Sequence, residues 1–285
     1  MSDLDLRNID NVDSLTKMLK LAFSNEDWAN LIRISDKLIE ESSILYYQQL
    51  QQPPKKPPHD RPLIYYIGYS QLSKGIACEK LKRYTEAREC IKKYSDLSWM
   101  EGVEEKDKYI IKDFQIFAVG NTYTIDLMEG KGEVLKDYVK YLKEYPRELL
   151  AGVSTILECS IKNELPIEWV LDELSTELEE IEGNPANSTT ARYYTEYLYL
   201  FSLYKYKQKH YFDAIQKNLE ALATSVILGD NTAFKKLVVL FEVFRGYSST
   251  EQEQLYKTQL KTILEGVLLD EKDISFSSIL SGYNH

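Results

Sequence analysis

The chain has 285 residues, 44% hydrophobic and 28% charged, with only 12 Gly and 8 Pro. A disordered chain would be poorer in apolar residues, and turn-rich sheet folds consume more Gly and Pro. A net charge of −10 and a pI near 5.0 argue against nucleic acid as a ligand, because phosphates call for a basic face.

The basic residues are scattered, in isolated pairs such as Lys55-Lys56, Lys92-Lys93 and Lys235-Lys236. The acidity reads either as plain solubility or as a preference for a basic or peptide partner. Cys78, Cys90 and Cys159 are odd in number and form no C-x-x-C. Neither a disulfide framework nor a zinc site is indicated, and free thiols suit a reducing cytoplasm. The start, Met1-Ser2-Asp3-Leu4-Asp5, is acidic and unlike a signal peptide. Nothing approaches a membrane span, so a cytoplasmic location is expected.

Apolar residues recur at helical spacing from the beginning. Leu15, Met18, Leu19, Ala22 and Phe23 form one face, and Trp28, Leu31, Ile32, Leu38 and Ile39 the next. The run Pro53-Pro54-Lys55-Lys56-Pro57-Pro58 breaks the pattern. It reads as an exposed loop, or as a polyproline recognition segment. Helices are then predicted over 63–81, 84–97 and 106–129, the last closed by Gly130-Lys131-Gly132, where glycine takes a left-handed cap. Further helices are predicted over 133–145 and 148–162, and one opens at Pro166. After the loop Gly183-Asn184-Pro185-Ala186-Asn187 come helices near 188–208, 211–228, 231–245 and 250–268, with Thr250 and Glu253 as a capping box. No alternating strand is found.

An amphipathic helix pair cannot bury its own apolar face, so the pattern implies stacked pairs. The expected fold is all-α, a right-handed superhelical array of about six antiparallel helical hairpins of tetratricopeptide-like solenoid type. The chain divides as one repeat domain, 1–285. Within it lie an N-terminal hairpin (1–52), the Pro-rich loop (53–62), central repeats (63–182), a loop (183–190) and C-terminal repeats (191–285).

Two segments resemble each other. One has Gly75, Cys78, Tyr84, Ala87, Ile91 and Tyr94; the other has Ser202, Lys205, Tyr211, Ala214, Asn218 and Ala221. Each has a small residue, an aromatic nine on and an alanine three further. Gly75 and Ala87 let two helices cross closely, Tyr84 fills the turn, and Ile91 packs onto the next pair. Weaker copies have Trp28 in the turn position, with Leu31 and Leu38 after it, and Ile167, with Val170. The turn positions 28, 84, 167 and 211 depart from the roughly 34-residue tetratricopeptide period, which marks a divergent array.

The stretch from Gly75 to Asn163 includes Tyr84-Thr-Glu-Ala-Arg-Glu-Cys-Ile-Lys-Lys-Tyr-Ser-Asp-Leu-Ser-Trp99 and Ala118-Val-Gly-Asn-Thr-Tyr-Thr-Ile-Asp-Leu-Met-Glu-Gly-Lys131. It resembles the helical-repeat region of Bacillus-type, Gram-positive transcriptional regulators that join a Xre-like helix-turn-helix to tetratricopeptide repeats. Asn11-Val-Asp-Ser-Leu-Thr-Lys-Met-Leu-Lys-Leu-Ala-Phe23 resembles the start of that region. More distantly the chain is similar to peptide-pheromone receptors of the Rap, NprR and PlcR type. One departure stands out: residues 1–60 hold seven Lys/Arg against ten Asp/Glu and no recognition-helix pattern. DNA binding is therefore carried over to no residue. The chain reads as an excised regulatory region or as a free-standing relative.

His59, His210 and His285 are the only histidines, and none sits at ligand spacing with another His or Cys. No nucleophile elbow, Walker sequence or dinucleotide fingerprint occurs. No catalytic residue, metal or cofactor is expected, and the chain reads as a non-enzyme. The 22 tyrosines are unusual. Seven crowd 193–211, and positions 193, 197, 201 and 204 form one stripe. That stripe reads first as packing, but a phenol also suits peptide recognition.

The receptors that it resembles hold an extended peptide along the first helix of each repeat, with asparagine amides clamping its backbone. The resemblance thereby implies peptide contacts from Tyr69, Asn121, Asp126, Arg192, Tyr193, Glu196, Tyr197 and Asn231. Each of these also reads as a surface or capping residue. The expected function is a regulatory sensor that binds a short peptide or a protein partner, as in quorum sensing. A constitutive scaffold, or a homodimer through the terminal helices, is the alternative.

Overall fold

Among the described residues every regular element is helical. The computed structural model describes residues 6–52, 58–182 and 188–270. The Pro-rich stretch 53–57, the loop 183–187 and His285 lie outside them. The helices are α1 Val12–Ser24, α2 Trp28–Gln51, α3 Leu63–Lys80, α4 Tyr84–Tyr94, α5 Lys108–Met128, α6 Leu135–Glu144 and α7 Leu149–Asn163. They continue as α8 Glu168–Glu173, α9 Ser175–Glu182, α10 Ser188–Lys207, α11 Tyr211–Ile227, α12 Asn231–Phe244 and α13 Thr250–Asp270. Contacts group the chain into two compact units, Met1–Glu144 and Tyr145–His285.

One turn recurs through both units. Glu26, Lys82, Gly130, Lys209 and Gly229 each have positive φ, between 54° and 89°. In each case the next residue donates its N–H five residues back: Asp27 to Ala22, Arg83 to Cys78, Lys131 to Asp126, His210 to Lys205 and Asp230 to Ser225, at 2.7–3.0 Å. This is the six-to-one bond of a Schellman cap, which satisfies the last carbonyls of one helix while turning the chain into the next. The aromatic turn residues Trp28, Tyr84 and Tyr211 each stand two places after the left-handed residue. They pack where the chain reverses: Trp28 edge-on against Phe23 at 5.7 Å, and Tyr211 stacked on Tyr247 at 3.9 Å. Tyr84 lies half-buried against the first unit's core.

The two look-alike hairpins close tightly. A Cβ on Gly75 would stand 3.2 Å from the Cys90 Cβ and 3.7 Å from the Ala87 carbonyl, so the absent side chain lets α3 meet α4. In the second unit Ser202 donates to the Ala214 carbonyl at 2.6 Å across α10 and α11. Ala87, Ile91 and Ala214 are buried. In the first unit each helix from α1 to α6 packs on its neighbour, and α1 and α5 also touch α3.

The second unit repeats a hairpin in parallel. Gln252 and Gln259 on α13, two turns apart, donate to the carbonyls of Phe212 and Leu219 on α11, at 2.9 and 3.1 Å. Both bonds span forty residues, so α13 runs parallel to α11. On the other side, Arg192 approaches Asp230 at 4.0 Å, Lys236 lies over the Tyr199 ring at 6.0 Å, and Tyr206 stacks on Phe244 at 4.0 Å. These pairs advance together, so α10 and the start-to-end course of α12 are parallel too. Hairpin α10/α11 therefore stacks on hairpin α12/α13.

Three boundaries differ from expectation. Helix α4 stops at Tyr94, because the Asp96 carboxylate accepts the Ser98 N–H at 2.9 Å and draws the chain into an Asx turn. Pro166 does not begin a helix; Ile167, fully buried with ψ near 6° and φ near −128°, is the cap before Glu168. The capping box is Ser249 with Gln252, each accepting the other's N–H at 3.2 Å, rather than Thr250 with Glu253. An amide can accept at the cap while donating to Phe212, which a carboxylate cannot.

Candidate functional site

The second unit builds one helix face that its own core does not use. Helix α10 turns Tyr194, Tyr197, Phe201 and Tyr204 inward as a ladder of rings, with neighbouring centroids 6.2, 5.6 and 6.4 Å apart. The stripe thus starts at Tyr194, and Tyr193 lies beside it half-buried. The ladder's hydroxyls end on carboxylates: Tyr194 donates to Glu220 on α11, and Tyr204 to Glu168 at 2.9 Å. Burial, then the Glu168 bond, push the Tyr204 phenol well above its ordinary pKa. Glu168 is held below the usual range, first by the bond from its own backbone N–H, then by Tyr204. These tyrosines are core.

The opposite side of α10 shows Glu196 to solvent, with Tyr199 half-buried. Lys236 reaches over Tyr199 from α12. Helix α12 buries Leu237, Leu240, Phe241 and Phe244. On its other side Lys235 and Lys236 precede Val239 and Val243, which are 63% and 62% exposed. Positions 236, 239 and 243 share one stripe of a 3.6-residue helix. Two exposed valines one turn apart form an apolar strip that follows Lys236 on the same side of α12.

The implied peptide contacts fall in varied surroundings. In the first unit Tyr69 stacks on Tyr65 at 5.3 Å, and Asn121 donates to the Tyr94 hydroxyl at 2.8 Å. Asp126 pairs with Arg88 at 2.6 Å and Lys131 at 2.7 Å. Although burial opposes it most, these bonds hold the Asp126 carboxyl below its usual range. In the second unit Tyr197 is buried in the ladder, while Arg192 approaches Asp230. Glu196 and Asn231 are exposed; Asp230, not Asn231, caps α12, accepting from Thr232 and Ala233. Of the eight, Arg192 is placed against the start of α12, through Asp230 at its cap.

Tyr199, Lys236, Val239 and Val243 were not singled out from the sequence. A signal was present: Leu237-Val-Val-Leu-Phe and Val243-Phe244 hold more apolar positions than one helical stripe can bury.

The first unit also holds a cavity of about 570 Å³ at the ends of α2 and α3, lined by Tyr46, Arg61, Met100, Glu101 and Lys106 among others. Its loop donors are engaged. Asp60 N–H bonds Asp13 at 3.1 Å, Arg61 N–H the Tyr66 hydroxyl at 3.0 Å, and Glu101 N–H the Tyr46 hydroxyl at 2.8 Å. Lys106 pairs with Glu104 at 2.8 Å. Tyr66 in turn donates to Asp13, tying the loop to α1. The arrangement anchors two loops.

Among the described residues no group of His, Cys, Asp and Glu is placed to hold a metal ion, and no helix is long and apolar enough to cross a membrane. No family model, curated protein or solved structure matches the chain.

Proposed function

We propose that the chain is a non-enzymatic recognition module, a tetratricopeptide-like array whose hairpins form a right-handed superhelix and hold a short peptide or a peptide segment of a protein partner. The parallel stacking of α10/α11 on α12/α13 supports the array. The observation that carries the binding reading is the exposed pair Val239 and Val243, on the same helix side as Lys236, which lies over Tyr199 of α10. Apolar side chains that line one exposed side of a helix whose other side fills the core offer a contact surface to a ligand. Valines give a ligand apolar contact, while Lys236 and Glu196 fix its direction through charge. The resemblance to regulators of the Xre-plus-repeat kind then makes it a sensor region whose occupancy controls a partner or an attached domain in the cytoplasm of a Gram-positive bacterium.

The test is thermal unfolding of the chain with peptide fractions from the producing cell's culture medium. A cognate peptide at a hundred times its Kd stabilises by about 2.7 kcal/mol. Val239→Glu with Val243→Glu abolishes that stabilisation while leaving the unliganded transition in place. Absence of a shift with every fraction, or an equal shift in the double variant, rejects this reading.

A further inference from the structure

We propose that the cavity at the ends of α2 and α3, in the first unit, is a binding site for a free α-amino acid with an apolar side chain. It uses no residue of the face assigned above to a peptide, and it stands without that assignment.

At about 570 Å³ the cavity falls in the range of small-molecule pockets, about 300–1,000 Å³. Tyr46, Leu63, Ile64 and Met100 line it and are buried, so its floor is apolar. An aliphatic or thioether side chain placed there leaves water for apolar contact.

One buried donor in the wall is unmatched. Tyr46, 6% exposed, accepts the Glu101 N–H at 2.8 Å. Among the described residues its own hydroxyl proton meets no acceptor. Trp99 packs edge-on against the ring at 5.8 Å and, with the Glu101 bond, keeps the hydroxyl at the wall. A buried phenol normally finds a partner for its proton, and the cavity is where an acceptor would fit.

The two loops around the cavity bring opposite charges. The segment before α3 carries Arg61, whose guanidinium lies over the Tyr65 ring at 4.5 Å and forms no ion pair among the described residues. Asp60, next to it in the chain, does not pair with it. The segment before α5 carries Glu101 and Asp107, neither of them in an ion pair among the described residues. Lys106 beside them is taken by Glu104 at 2.8 Å. An acid alone would leave Glu101 and Asp107 unmatched, and an amine alone would leave Arg61 and the Tyr46 proton so. A zwitterion matches both sets. Its carboxylate takes Arg61 and the Tyr46 hydroxyl, its ammonium takes Glu101 and Asp107, and its side chain lies on Ile64 and Met100.

Calorimetric titration of the full chain with L-leucine, N-acetyl-L-leucine and L-leucinamide tests the site. Leucine binds saturably. The acetyl compound lacks the ammonium and the amide lacks the carboxylate, and each binds at least about tenfold more weakly. Arg61→Gln weakens leucine at least about tenfold and does not weaken leucinamide further. Glu101→Gln with Asp107→Asn weakens leucine likewise and does not weaken N-acetyl-leucine further. Because each variant is read against the ligand that lacks its partner charge, a general loss of folding cannot imitate the pattern. Leucine binding as tight as that of either analogue overturns the proposal, and so does leucine binding that survives both variants. Silence from leucine, isoleucine, methionine and phenylalanine alike also overturns it. Val239→Glu with Val243→Glu leaves leucine binding intact, so failure of the peptide face and failure of this site are read separately.

Discussion

The Gln259 side chain donates to the Leu219 carbonyl at 3.1 Å, forty residues back along the chain. Together with Gln252 on Phe212 it fixes α13 against α11 with two amide rungs spaced two turns apart. Gln252 does more than Gln259, since its oxygen also closes the capping box on Ser249. Gln252→Ala should therefore cost about 2 kcal/mol and Gln259→Ala about 1 kcal/mol, at roughly 1 kcal/mol per hydrogen bond. Urea midpoints of the full chain check the ranking. Equal effects would remove the special role of Gln252.

The recurrent turns make a second prediction. Lys82 and Lys209 hold φ of 60° and 64°, where a Cβ is strained. Lys82→Gly and Lys209→Gly should each stabilise by about 0.5–1 kcal/mol, the left-handed strain less the glycine entropy cost. Gly130 and Gly229 have the same conformation, and a Cβ there would touch nothing within 4 Å. Alanine at either should destabilise by about 0.5–1 kcal/mol through the backbone alone, the same strain less the same entropy difference. Thermal unfolding of the four variants should show opposite signs for the two pairs.

Gly68 is required for a different reason. A Cβ there would lie 2.2 Å from the buried Phe114 ring, between α3 and α5. Gly68→Ala should cost about 1–3 kcal/mol by overpacking. Phe114→Leu added to it should recover part of that loss, a coupling read from a double-mutant cycle. Strict additivity would mean that the ring is not the obstacle.

Tyr256 carries a pH signature. It stacks on Phe241 at 3.8 Å and donates to Glu242 at 3.0 Å. Burial, then the Glu242 bond, push its phenol up to about 12. A folded-state pKa above the unfolded value near 10 favours the protonated form in the native state. The stability from this group is therefore complete below pH 10 and is lost as pH rises from about 10 to about 12. Ultraviolet titration of the native chain should show a late-ionising phenol that Tyr256→Phe removes.

Helix positions were legible because apolar spacing and caps are local: 63–81, 211–228 and 231–245 nearly coincide with α3, α11 and α12. The close hairpins were also visible, in the small residues Gly75, Ala87 and Ala214. What escaped were choices between adjacent candidates. Ser249 wins the cap over Thr250 because of Phe212, forty residues from Gln252. Tyr194 enters the ladder rather than Tyr193 because Glu220 on α11 receives its hydroxyl. The strip on α12 was hidden for the same reason. Apolar residues fill more than one side of α12, and only the burial of Leu237 and Phe241 shows which side faces the core.

Amide hydrogen exchange tests the central claim most directly. With a stabilising peptide bound, exchange should slow along α10 and α12, around Glu196, Tyr199, Val239 and Val243, and stay unchanged around Tyr46, Arg61 and Met100. Protection confined to the Tyr46–Met100 cavity, with none along α12, would contradict the assignment.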